Sequence, residues 1–140
     1  DKLKISNSKF DAIDLDFSQG KLKNVSILNS GNDAIDLSFS EISTNLLNIK
    51  NAKDKGISVG EMSNFEAENT VLDMTSTGIA VKDNSKVKMK TAKFNNISKF
   101  EILSYVKKDR FGGAYIECID CNIDFNKIYN DELSVIAYEK

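Results

Sequence analysis

The chain contains no proline, no histidine and no tryptophan, and its one arginine is Arg110. Without histidine it lacks the commonest general base and metal ligand, so acid–base or metal chemistry would fall to carboxylates and lysines. The absence of proline suits a chain that runs as nearly continuous backbone ladders, because proline cannot donate to them. No stretch approaches the roughly eighteen consecutive apolar residues of a membrane span, so membrane insertion is not expected. Neither sign of charge dominates: 19 basic and 21 acidic residues leave a net charge of -2. That balance gives no overall attraction to nucleic acid, and a partner would have to be recognised locally. No signal peptide is visible, and the first residue is Asp1 rather than Met, which suggests a processed product or a piece of a longer chain. A length of 140 residues fits one domain, taken as 1–140.

What the chain does contain is a repeat. Asn32-Asp33-Ala34-Ile35-Asp36-Leu37-Ser38 echoes Asp11-Ala12-Ile13-Asp14-Leu15-Asp16, and weaker copies follow at Lys55–Gly60 and Thr77–Lys82. Ile13, Ile35, Ile57 and Ile79 are spaced by 22 residues, as are Leu15, Leu37, Val59 and Val81. A fixed period of this size marks a stacked-repeat architecture. In each copy the isoleucine and the next apolar residue point inward while the residues between and after them point out, and a small residue (Ala12, Ala34, Gly56, Gly78) precedes the isoleucine at a sharp turn.

A second strand-like piece carries apolar or small residues at x, x+2, x+4 and x+7. Examples are Gly20, Leu22, Asn24, Ile27 and Ile42, Thr44, Leu46, Ile49. The same frame is assigned to Leu3, Ile5, Asn7, Phe10 at the start and to Ala114, Ile116, Cys118, Cys121 at the end. Alternation with period two means strand, and the step from x+4 to x+7 implies a bend, occupied by Asn7, Asn24 and Asn69 in three copies. The expectation is an all-β, right-handed, single-stranded parallel β-helix of about six rungs of roughly 22 residues, with equivalent residues about 4.8 Å apart and a column about 29 Å tall. The frame is irregular in three places. Phe10 runs straight into Asp11, so the first corner is either very tight or short of residues. The spacing stretches across 104–113, and the pattern fades after 122, with Asn126–Glu132 read as loop and Leu133–Tyr138 as one closing strand.

The runs Gly31-Asn32-Asp33-Ala34-Ile35-Asp36-Leu37, Asp54–Glu61 and Gly78–Asp83 resemble the pectin-lyase-like right-handed β-helix superfamily, and are most similar to β-helix segments of large bacterial secreted or surface proteins. The resemblance covers roughly residues 3 to 121. It implies the fold; activity varies across the superfamily, which holds lyases, hydrolases, adhesins and structural rods. Gly31-Asn32-Asp33 is reminiscent of the Gly-Asp-Asp motif of polygalacturonase-type hydrolases. Asn32 stands in place of the first aspartate, however, and the histidine those enzymes require is absent.

Stacking by one period sets Asp14 beside Asp36, and Asp11 beside Asp33 beside Lys55. Two bare carboxylates about 4.8 Å apart repel by roughly 3.5 kcal/mol at an effective dielectric of about 20, and by about 1 kcal/mol in water. Solvent and Lys55 can relieve that, or Asp14, Asp33 and Asp36 can hold a hard cation such as calcium. A calcium-assisted polysaccharide lyase is the catalytic version, with Lys55 as the base and Asp33, Asp36 and Asp14 as ligands of the metal.

The inserted loop offers Tyr105 and Phe111 for stacking on sugars, and Lys107, Lys108 and Arg110 for carboxylates or sulfates. Cys118 and Cys121 are expected inside the coil as small hydrophobes, with a disulfide across the bend as the alternative. The expected function is a non-catalytic, extracellular or cell-surface module that binds polysaccharide or a neighbouring surface protein, or serves as a rod. The acidic-polysaccharide lyase is the alternative, and end-to-end self-association is open to a coil with uncapped rungs.

Overall fold

The computed structural model describes residues 2–140. The strands stack in parallel as a β-solenoid of about six turns. One sheet, sheet A, is built from β1 (Leu3–Ser8), β3 (Gln19–Ser30), β5 (Glu41–Ala52), β7 (Asn64–Asp73), β9 (Lys86–Lys90), β10 (Ala92–Asn95), β12 (Tyr115–Ile119) and β14 (Val135–Glu139). The other, sheet B, contains β2 (Ile13–Asp16), β4 (Ile35–Ser38), β6 (Lys55–Gly60), β8 (Thr77–Lys82), β11 (Phe100–Tyr105) and β13 (Ile128–Asn130). A three-residue 3-10 turn at Phe125–Lys127 is the one helical element among the described residues.

Sheet B follows the period read from the sequence. Ile13, Ile35, Ile57, Ile79 and Ile102 register one above another, as do Leu15, Leu37 and Val59. From Ile35 to Ile102 this column is almost free of solvent, and each such side chain contributes about 1.5–3 kcal/mol by its burial. The small residues before the isoleucines are required by the spacing of the storeys. A Cβ added at Gly78 would lie 2.6 Å from the Glu101 carbonyl oxygen and 2.7 Å from Phe94 Cδ1.

Sheet A corrects the frame expected for the second piece. Leu46 is 44% exposed whereas Leu47 is 1% exposed, so the inward positions are x, x+2, x+5 and x+7. Two consecutive residues face outward where a long strand bends around the corner of the coil, and the inward phase therefore resumes one residue later than strict alternation predicts. At the start of the chain, Leu3 and Ile5 pair with Val25 and Ile27. They occupy the second half of a rung, not the first. Phe10 is then an exposed corner residue, 69% accessible, and no residues are missing between it and Asp11.

The left-handed asparagines follow this corrected frame. Asn7, Asn29 and Asn51 have φ near +60°, and their amides form a ladder: Asn29 Nδ2 donates to Asn7 Oδ1 and Asn51 Nδ2 to Asn29 Oδ1, both at 2.8 Å. Asn24 and Asn69 are not left-handed and take no part.

The last turn also shifts. Ile116 and Cys118 register with Val87 and Met89, and Asn122 with Lys93, which sets Cys121 level with Ala92. Cys118 and Cys121 are thus two inward positions facing each other across the corner. They are joined as a disulfide with their Cα atoms 5.9 Å apart, within the range that geometry allows; reduced, separate thiols are not what the fold holds. The 126–132 stretch is not plain loop. It contributes β13, which pairs with β11 and finishes sheet B.

Candidate functional site

Inward and outward residues alternate along sheet B, so its outer face carries two columns. One runs Asp14, Asp36, Ser58, Ala80; the other runs Asp16, Ser38, Gly60, Lys82, Tyr105. At the N-terminal end the face is open. Asp14 is exposed, and its carboxyl is raised by the burial it does have and then by the charges of Asp16, Asp36 and Asp11.

Asp33 belongs to a different environment. It lies in the corner column below Lys55, where carboxylates climb the coil by accepting backbone protons from the storey above. Asp11 Oδ1 accepts from the Asp33 N–H at 2.8 Å, and Asp33 Oδ1 accepts from the Lys55 N–H at 2.9 Å. The Lys55 ammonium is 3.5 Å from Asp33 and bonded to Asp54. Burial raises the Asp33 carboxyl against the opposing charge of Lys55. For Lys55, burial alone would lower the pKa, but the bond to Asp54 and the charges of Asp33 and Asp54 outweigh it and hold the amine above its ordinary value. An amine held protonated in this way is a poor general base. Among the described residues no three His, Cys, Asp or Glu side chains converge as a metal site. Asp14 and Asp36 lie together on the strand face, while Asp33 is committed to Lys55.

Farther up, the outer face closes. Ser58 and Lys82 are 1% and 8% exposed, and the Lys82 ammonium donates to Ser58 Oγ at 2.8 Å. The lysine folds back over Gly60, where a Cβ would stand 3.3 Å from Lys82 Cε. Burial, opposed by Asp36 and reinforced by Lys107 and Lys55, pushes its pKa down. Below the folded-state pKa both folded and unfolded chains carry the proton and the full cost of burying the charge remains. As pH rises from there towards the unfolded value near 10.5, the unfolded chain binds more protons and folding gains. A Ser58→Ala/Lys82→Met variant removes the buried charge without orphaning the hydroxyl. It is expected to be more stable than the parent by about 1 kcal/mol at pH 7, with the difference shrinking by pH 10. Urea midpoints across that range decide; a variant less stable at neutral pH would show that the pair is net stabilising.

The lid over this part of the face is the inserted loop, and it descends one storey at a time. Asp83, buried and left-handed with φ +56°, accepts the Lys107 and Lys108 N–H groups on Oδ1 at 2.7 and 2.9 Å. One storey lower, the Lys108 ammonium pairs with Glu61, which also accepts from Ser38 Oγ at 2.5 Å. Burial would raise the Glu61 carboxyl, but these bonds and the charges of Lys108 and Lys82 hold it below the usual range. Lower still, Phe111 packs on Phe39 with ring centroids 6.3 Å apart, and Phe39 stacks in parallel on Phe17 at 4.9 Å. Gly112 returns to Asn84, and the chain re-enters sheet A.

The five loop residues expected to meet a ligand therefore divide. Tyr105 is half-buried, its phenol raised by burial against the charge of Lys55, and Lys108 is spent on Glu61. Lys107 and Arg110 project into solvent, the Arg110 guanidinium resting 5.1 Å above the Phe111 ring. Phe111 is the upper end of an aromatic rail with Phe39 and Phe17. Phe17 and Phe39 are absent from the sequence-based expectation although their spacing of 22 residues was a signal for them. Asp83 and Glu61 carried no comparable signal, because their partners Lys107 and Lys108 come from an insertion outside the period.

Fold and site together define a parallel β-solenoid with a strapped corner loop. No known protein family, no curated protein and no solved structure matches the chain.

Proposed function

We propose that this chain is a non-catalytic β-helix module of the pectin-lyase-like type, acting outside the cell or on its surface, that holds an acidic polysaccharide along the corner ridge of Lys107, Arg110 and Phe111. The observation that carries this reading is the strap itself. Because Asp83, Glu61 and Phe39 fix the loop at three successive storeys, Arg110 and Lys107 are presented from a rigid scaffold, and a preset guanidinium forks onto a carboxylate or sulfate with little further ordering cost. The faces of Phe17 and Phe39 are turned to each other, so stacking on a sugar falls to the exposed side of the rail's ends, and the charged groups supply most of the attraction. A disulfide in a chain with only two cysteines supports an oxidising compartment. The lyase alternative is disfavoured by Lys55, whose two carboxylate neighbours keep it protonated.

Binding of polygalacturonate, followed by affinity electrophoresis with neutral dextran as the control, tests the reading. Arg110→Ala and Phe111→Ala are expected to weaken retention roughly tenfold each, and rising salt should weaken it further. Lys21→Ala on the outer face of sheet A should leave it unchanged. Equal retention of all these variants, or no retention of any anionic polymer, would remove the ridge as the site. Ultraviolet-absorbing unsaturated product formed with calcium and lost in Lys55→Ala would restore the lyase.

A further inference from the structure

In the middle of the coil, the outer face of sheet B beside the strap holds more cationic donors than acceptors. The Lys82 ammonium has one protein acceptor, Ser58 Oγ. An ammonium carries three protons, so two are unspent. The Ser58 hydroxyl accepts that bond and, among the described residues, donates none of its own. Lys107 is fixed alongside, because its N–H bonds to Asp83, the residue that follows Lys82 in the chain. Among the described residues neither Lys82 nor Lys107 has a carboxylate within 4 Å. The carboxylates that act on Lys82 from farther off are Asp36 and Asp33, and Lys82 in turn acts on Glu61. Asp33 is engaged by Lys55 and Glu61 by Lys108. Asp36, one storey below Ser58, is therefore left to face two ammonium groups. Buried donors without acceptors are rare in folded proteins, and a buried charge is costly until it is paired.

We propose that Lys82 and Lys107 together hold a single oxyanion, a sulfate or a carboxylate group, at the edge of the strap, with Ser58 as a further donor. Such a group has lone pairs enough to accept the spare Lys82 protons and the Ser58 hydroxyl, and charge-assisted bonds of this kind are the strong ones. Lys107 meets it from the solvent side. Gly60 makes the arrangement possible: a Cβ there would stand 3.3 Å from Lys82 Cε and 3.6 Å from its Nζ. A larger residue would push the ammonium off Ser58. Asp36 opposes a second anion, which limits the niche to one. The inference goes beyond the polysaccharide reading, because an inorganic ion alone can fill the niche and because Lys82 takes no part in the ridge.

Urea midpoints of the 140-residue chain at pH 7 test it, in sodium sulfate up to about 50 mM with sodium chloride holding the ionic strength constant. Sulfate is excluded from protein surfaces and raises any midpoint in proportion to its concentration. A bound sulfate adds a rise that saturates. The parent chain is expected to show the saturating rise, and the Ser58→Ala/Lys82→Met variant the proportional one alone. Lys107→Gln, a change at an exposed position, should move half-saturation to roughly threefold to fivefold higher sulfate. Sodium galacturonate in place of sulfate separates the sources: saturation by sulfate alone supports a free-ion site, and saturation by galacturonate supports a sugar carboxylate. No saturation with either salt, or equal half-saturation in all three chains, would overturn the proposal. Loss of polygalacturonate retention at the ridge would leave these midpoints as they are, so the two readings fail separately.

Discussion

Gly78→Ala is expected to destabilise the coil by about 3 kcal/mol, at the upper end of what overpacking costs, and to lower its urea midpoint accordingly. The new methyl group would be held between the Glu101 carbonyl of the next storey, at 2.6 Å, and the Phe94 ring, at 2.7 and 2.8 Å. Neither neighbour can yield cheaply. The carbonyl belongs to the backbone at the start of β11, and Phe94 is itself packed in the interior column. The storey spacing is set by the strand ladders at about 4.8 Å, so relief would require the ladder to open. Gly20→Ala is the matched control: its Cβ meets nothing within 4 Å, and its effect should stay within about 0.5 kcal/mol. Equal midpoints for the two variants would mean that the rungs are not stacked at the spacing described.

Asp83→Ala is expected to release the strap and to cost about 3 kcal/mol. Two hydrogen bonds to a carboxylate are lost, each worth about 1.5–3 kcal/mol, and an alanine must adopt a left-handed conformation at a cost of about 1 kcal/mol. Against this, the Asp83 Oδ2 atom is buried without a partner, and removing it returns part of the loss. Asp83→Asn keeps an acceptor for the Lys107 and Lys108 amides and tolerates the left-handed conformation, so it should lose much less. Hydrogen exchange separates the local event from the global one. In Asp83→Ala the Lys107 and Lys108 amides should exchange at least about tenfold faster, while core amides such as Ile57 slow or quicken only with overall stability. Unchanged protection at 107 and 108 would show that Glu61 and Phe39 hold the loop unaided. Polygalacturonate retention should fall with loop order if the ridge is the binding site.

The spacing of Ile13, Ile35, Ile57 and Ile79 was enough to establish a parallel coil, because a side chain facing the axis has to be apolar in every turn and the period is written directly into the chain. The same logic placed Asp14 beside Asp36 and Asp11 beside Asp33 beside Lys55. It failed where a corner altered the phase. Leu46 and Leu47 are both leucine, and only the bend decides which is inside. The expected frame sets Leu3 and Ile5 five residues too early, because a first turn has no preceding rung to align against.

The candidate site was legible in its parts but not in its assembly. Composition marked the 105–113 insertion as basic and aromatic, and the period could have paired Phe17 with Phe39. That the insertion folds back across three storeys, consuming Lys108, rests on its contacts with Asp83, Glu61 and Phe39, whose separation from the loop follows no repeat. The pairing of Cys118 with Cys121 likewise depended on which inward positions face across the corner. Periodic one-dimensional order is recorded in the sequence because identical neighbours recur at a fixed interval; the bends and the loop that crosses the rungs are decided by three-dimensional closure, where side chains distant in the chain meet once and leave no repeating trace.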